Sequence, residues 1–180
     1  LPVAGQPALG HVLDMLASTE SVGNVTLVGD ELFHNQARKF VASEDLGDKK
    51  LDSVVEQPCW GLDRLGPVGA LRYAVEEAGK GARDYLVVAA DNLFDTRGLG
   101  ESSVDSFSLQ DMIASGYGHD GSVNVLYTLW DNTHSTEYGS AEVGVDSRIT
   151  DFREKQPLRV PRHISTACYL LKKPDVEALS

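Results

Sequence analysis

Apolar positions recur along this chain at helical spacing in some stretches and as short unbroken runs in others. Leu9, Val12, Leu13 and Leu16 fall at i, i+3, i+4 and i+7, one apolar stripe of a helix in "ALGHVLDMLAS". The β-branched run "NVTLVGD" then predicts a short strand ending in Gly29-Asp30. Phe33, Ala37, Phe40 and Val41 predict a second helix, and "LDSVVEQ" a second strand. "PCWGLDRLGP" reads as loop. Val68, Leu71, Val75 and Ala78 place a helix in "PVGALRYAVEEAG", with Pro67 near its first turn and Gly79 near its stop. Tyr85 to Ala90 in "DYLVVAADNLFD" is apolar without alternation and too short for an ordinary helix, which predicts a strand buried on both faces. Ser108 to Asp111 in "SLQDMIASGY" resembles a capping box, and "SVNVLYTLW" predicts another strand.

Strands alternating with helices from Leu9 to Trp130 predict an α/β layer on a mostly parallel central sheet. The end of the chain breaks the pattern. "SAEVGVDSRITDFREK" alternates as a C-terminal antiparallel hairpin turning at Asp146-Ser147, and "HISTACYLL" is a further strand with no helix before it. No repeat or low-complexity linker divides the chain, so residues 1–180 are expected to form a single domain.

Composition narrows the partners. A chain of 180 residues suits one domain that buries roughly two thirds of its unfolded surface. Lys and Arg number 16 against 27 Asp and Glu, a net charge of -11, and no basic cluster is long enough to follow a phosphate backbone. Nucleic acid is therefore not an expected partner. No apolar run approaches the ~20 residues that cross a bilayer, so no membrane contact is expected either. Cys59 and Cys168 show neither C-x-x-C spacing nor a dense disulfide pattern, and the expected setting is reduced and cytoplasmic. P-loop, dinucleotide, H-E-x-x-H and G-x-S-x-G motifs are all missing, and the five His show no tight metal spacing.

The positive chemistry starts at Asp91. An ionised carboxylate leaving a buried strand needs solvent, a partner or a metal ion, and ligands of open α/β sheets settle beyond the carboxyl ends of the strands. Asp30 occupies a similar exit. The ordinary alternative for either residue is a turn or helix cap. Gly66 and Gly69 in "RLGPVGAL" form a Gly-x-x-Gly at a helix entry, where backbone N–H groups can meet a ligand, although helix entries use glycine for their own reasons. Tyr138-Gly139 precedes the hairpin and Glu154-Lys155 closes it; read alone, the latter is a solvated charge pair.

Taken in order, "LPVAGQPALGHVLDMLA", "RLGPVGALRYAV", "LVVAADNLFD", "YGSAEV", "FREKQP" and "STACYLL" resemble the sugar-1-phosphate nucleotidylyltransferases, the thymidylyl and uridylyl members above all. The likeness runs over essentially the whole chain. It implies a Rossmann-like, three-layer nucleotide-diphospho-sugar transferase fold. It also implies condensation of a nucleoside triphosphate with a sugar 1-phosphate, releasing pyrophosphate with the help of Mg²⁺. Under the resemblance Asp91 is the metal-binding and catalytic Asp, with Asn92 beside it on the substrate side. Leu65, Gly66 and Gly69 belong to the segment along base and ribose. Gly139 makes a backbone contact to a sugar hydroxyl, Glu154 accepts hydrogen bonds from the sugar, and Lys155, the second catalytic residue, pairs with the sugar phosphate. Ser165 and Thr166 line the sugar pocket.

The chain also departs from the family's pattern. The Gly-rich triphosphate loop and a following Lys are expected upstream of Leu1, and a second acidic metal ligand downstream of Ser180, so the domain is expected to be truncated at both ends. Ala90 and Ala167 stand where the family carries Gly, Gln156 interrupts "EKP", and residues 96–106 form an insertion expected to be a passive surface loop. These departures keep two alternatives in play: a non-catalytic nucleotide-sugar-binding regulatory protein, and a cytidylyltransferase acting on phosphocholine. Base, sugar and homo-oligomeric state are left open.

Overall fold

A computed structural model of the chain describes residues 2–42, 46–55, 66–77, 83–94, 107–130, 137–155 and 162–179. In chain order the elements are β1 (Pro2–Val3), β2 (Gln6–Pro7), α1 (Ala8–Ala17), β3 (Asn24–Gly29), α2 (Glu31–Val41), β4 (Lys50–Val55), α3 (Gly66–Glu77) and β5 (Tyr85–Val88). After these come α4 (Leu109–Tyr117), β6 (Val123–Leu129), β7 (Ser140–Val143), β8 (Ile149–Arg153), β9 (Arg162–Leu171) and α5 (Lys173–Glu177). Every helix and strand expected from hydrophobic spacing is present. The two-residue pair β1–β2 was not foreseen, since elements so short leave no periodic trace.

Local chemistry starts the helices. Ser108 is extended, and its hydroxyl accepts from the Asp111 N–H at 3.1 Å, a side-chain cap for α4. Asp30 does the same for α2, accepting from the Phe33 N–H at 2.8 Å. For Asp30, then, the ordinary capping role holds. The stripe of α1 packs inward, and Leu9, Val12, Leu13 and Leu16 join Val25 and Leu46 in one buried cluster.

The sheet corrects one expectation. Only β3 and β4 pair in parallel among the described residues, in register from Asn24 opposite Lys50 to Gly29 opposite Val55. The larger, five-stranded sheet is antiparallel at every pairing, with β9 bonded to β5, β6 and β7, and β7 to β8. The physical reason is the route of β9. It follows the hairpin closely in sequence, and it runs against the strands on both of its edges. The hairpin itself turns where expected: Ser147 has φ +63°, and the Gly144 N–H donates to the Arg148 carbonyl at 2.8 Å.

Between β3 and β5, which do not pair, lies a cavity of about 550 Å³ bordered by Val25, Leu27, Leu86, Val88, Leu13 and Ala70. It leaves Tyr85 to Ala90 half-buried, where the apolar run had predicted burial on both faces. At the far end of β5, Lys172 is buried with its ammonium 3.4 Å from Asp84 and 4.3 Å from the centroid of the Tyr117 ring. Cys168 is fully buried, and burial pushes its thiol up to about 11, so near neutral pH it is an uncharged packing group. Cys59 lies outside the described residues. No described helix is long and apolar enough to cross a membrane.

Candidate functional site

One edge of β9 carries two strands in succession. β5 pairs with it up to Val88 opposite Cys168, and β7 pairs with it from Ser140 opposite Ile164. Between them β9 bulges. Against β6 the register shifts between Asn124 and Leu126, and Ala167 sits in the left-handed region at φ +52°. The Thr166 hydroxyl donates to the Val125 carbonyl at 2.8 Å, tying the bulge to β6. On the other edge the Ala167 carbonyl accepts from the Ala89 N–H at 3.1 Å, while the Ser165 N–H donates to the Gly139 carbonyl at 2.9 Å. The exit of β5 and the entry of β7 therefore diverge from a single point, Ser165 to Ala167. A left-handed L-residue costs roughly 1–2 kcal/mol, partly offset in glycine by greater unfolded-state freedom. Ala167→Gly is expected to stabilise the fold by about 0.5–1 kcal/mol, read as a raised urea midpoint.

Asp91 follows β5 in an exposed turn closed by the Asn92 N–H donating to the Ala89 carbonyl at 3.2 Å. Among the described residues its carboxylate has no hydrogen-bond or ion-pair partner. That is the opposite of Asp30, whose carboxylate is spent on a cap. The Asn92 side-chain amide donates to the Thr166 carbonyl in the bulge. No group of three or more His, Cys, Asp or Glu among the described residues could hold a metal by itself. An unpaired, solvent-facing carboxylate does suit the Mg²⁺ mode in which one or two carboxylates share the ion with substrate phosphates.

On the β7 side, a Cβ added to Gly139 would stand 2.6 Å from Cζ of Phe152 and 2.9 Å from Oε2 of Glu154. Glycine is what lets the ring and the carboxylate close over that backbone. Lys155 takes φ +47°, and its N–H donates to the Tyr138 carbonyl at 3.3 Å. Its ammonium is 3.8 Å from Glu154, both side chains being 64% exposed. So exposed a pair holds together weakly, and both groups are available to a ligand.

Ser165 brings in two residues that sequence reasoning missed. Its hydroxyl is 3.1 Å from the Asn124 amide nitrogen and 3.0 Å from the Tyr169 hydroxyl. The available signal was Asn124 itself, an amide inside the otherwise apolar start of "VNVLYTL". Next along β9, His163 Nδ1 is 3.1 Å from the Thr128 hydroxyl.

The structure thus gathers Asp91, Asn92, Gly139, Glu154, Lys155, Ser165 and Thr166 around one bulge. Gly66 and Gly69 join less directly. Gly66 opens α3 at φ +65° with open space where a Cβ would stand, so its local need is conformational. Pro67 and Ala70 of the same turn border the β3–β5 cavity together with Ala89 and Ala90, which sets the helix entry beside the β5 exit. Leu65, Gln156 and the 96–106 insertion lie outside the described residues.

Comparison with known proteins bears on the family and the fold. Residues 1–179 match the nucleotidyl transferase family. Over 117 residues, 64% of this chain and 24% of the relative, the chain is 31% identical to the bifunctional protein GlmU of Sinorhizobium medicae (strain WSM419). A Bacillus anthracis structure described as a glucose-1-phosphate thymidylyltransferase in complex with a sucrose superposes with TM-score 0.73 at 16% identity, over 98% of this chain and 63% of that one. The structure of CMP:2-keto-3-deoxy-manno-octonic acid synthetase complexed with CTP gives 0.65 at 12% identity, over 98% and 68%. At such identities the two structures speak for the fold alone. The chain spans about a quarter of the curated relative's length and under two thirds of the first structure's. A family match over nearly every residue gives the assignment: the chain belongs to the nucleotidyl transferase family.

Proposed function

We propose that this protein transfers a nucleotidyl group from a nucleoside triphosphate to a sugar 1-phosphate. The observation that carries the proposal is the pairing, on either side of the β9 bulge, of an uncommitted Asp91 carboxylate with the group Gly139, Glu154, Lys155 and Ser165. A sugar-phosphate oxygen attacks the α-phosphorus, a new P–O bond forms, and the bond to the bridging oxygen breaks to release pyrophosphate. Such chemistry needs two polyanions aligned and their charge neutralised, more than it needs a protein nucleophile. Lys155 supplies a cation to the sugar phosphate, Glu154 and the Gly139 backbone meet sugar hydroxyls, and Ser165 and Thr166 shape the pocket floor. Asp91 would hold Mg²⁺, which when bound neutralises phosphate charge. Gly66 and Gly69 offer close backbone approach to the nucleoside.

The test is pyrophosphate release across pairings of nucleoside triphosphates with sugar 1-phosphates, using the encoded full-length protein. Turnover with one pairing supports the proposal; folded protein that binds a nucleotide-sugar but never releases pyrophosphate supports the regulatory reading instead. Gly139→Ala is expected to raise the KM for the sugar phosphate by about tenfold, because a misplaced acceptor loses roughly that factor or more. The KM for the triphosphate should stay unchanged.

A second acceptor, phosphocholine, is favoured by one feature. Phe152 lies against Gly139 beside the Glu154 carboxylate, with the exposed Tyr138 next in sequence, and an aromatic face with a carboxylate suits a quaternary ammonium. Including phosphocholine with CTP in the same assay separates the two.

A further inference from the structure

Asp91 is exposed and nothing among the described residues bonds its carboxylate, so its direction is set by the backbone that carries it. That backbone has few anchors. β5 stops pairing at Val88, and the path beyond is held by the Ala89 N–H on the Ala167 carbonyl, by the Asn92 N–H on the Ala89 carbonyl, and by the Asn92 side chain on the Thr166 carbonyl. Two of these three bonds end on the bulge. The bulge in turn is fastened from behind, by the Thr166 hydroxyl on Val125 and by Ser165 on Asn124 and Tyr169.

We infer that Asn92 is a positioning residue, whose amide clamps the Asp91 turn to the β9 bulge and so aims the carboxylate, and that it is not a substrate contact. The inference rests on the proposed role of Asp91 toward a divalent cation. Its chemistry is specific to the amide. A carbonyl oxygen accepts only, so the group facing it must donate, and an Asp of the same shape would set a carboxylate oxygen against it. Asn92 is half-buried with an amide N–H spent on the Thr166 carbonyl, whereas the Asp91 carboxylate beside it is free.

The experiment uses Mn²⁺ alone as probe. Paramagnetic broadening of the backbone amide resonances of residues 91–93 is titrated in the wild type, Asp91→Asn, Asn92→Ala and Asn92→Asp, alongside Mg²⁺ half-saturation and substrate KM in the pyrophosphate assay. Expected are preferential broadening in the wild type, its loss in Asp91→Asn, and a roughly tenfold higher Mn²⁺ requirement in both Asn92 variants. Mg²⁺ half-saturation should rise in parallel, with substrate KM values unchanged. If Asp91→Asn broadens like the wild type, the metal role of Asp91 fails and the inference falls with it. If Asp91→Asn loses the effect while the Asn92 variants keep wild-type titrations, the metal role stands and the clamp is refuted. A raised substrate KM with unchanged metal response would make Asn92 a substrate contact, which also refutes it. Should Asn92→Ala fail to fold, the isosteric Asn92→Asp carries the same test.

Discussion

Under the proposed reaction, Asp91→Asn is expected to lower pyrophosphate release by about 10³-fold or more, the scale on which removing a group that stabilises transition-state charge acts, while leaving the melting temperature where it was. The two halves of this expectation come from one fact. Nothing among the described residues bonds or pairs with the carboxylate, so exchanging it for an amide breaks no contact, and surface changes of that kind stay within about 0.5 kcal/mol. An Asp that capped a helix would behave in reverse. Asp30→Asn touches just such a cap, yet it preserves an accepting oxygen and should spare activity. Steady-state kinetics beside thermal melts make the comparison. Were Asp91→Asn to keep its turnover, the proposed reaction would lose its metal-binding residue; were it to lose turnover and stability together, the residue would be structural.

Leu13→Ala is expected to be the most damaging substitution for the fold, at about 3 kcal/mol, within the range for leucine truncations in cores. Leu13 has no exposed surface, and its neighbours in the cluster come from three separate segments: α1, β3 and Leu46 just before β4. Those segments cannot all shift inward to fill the space. The side chain also borders the β3–β5 cavity, so truncation enlarges a space that is already there. Against a typical domain stability of 5–15 kcal/mol the loss is large but survivable. Urea unfolding should show a lower midpoint at unchanged slope. A loss under about 1 kcal/mol would mean that α1 is not the anchor its burial implies.

Much of the candidate site was legible because its residues punctuate elements. Asp91, Gly139 and Glu154-Lys155 stand where a strand stops or starts, and turn chemistry is written in single residues. Tyr169 was not legible and Asn124 showed only as an amide in an apolar strand, because both lie inside strands and matter only through the neighbours that pairing gives them. The difference between Asp30 and Asp91 was equally hidden. Both end a strand, and which of them spends its carboxylate on a cap depends on how the backbone turns next.

The helices and strands other than the β1–β2 pair, and the hairpin turn at Asp146-Ser147, were determined by the sequence alone, because hydrophobic periodicity and turn chemistry act within a few neighbours; the roles of the candidate residues came from the family resemblance. The direction of β9, its bulge and the meeting of β5 with β7 there were decided only in three dimensions. Strand pairing joins residues that are distant along the chain. An apolar run signals burial, but it does not name the strand that will pair with it or that strand's direction.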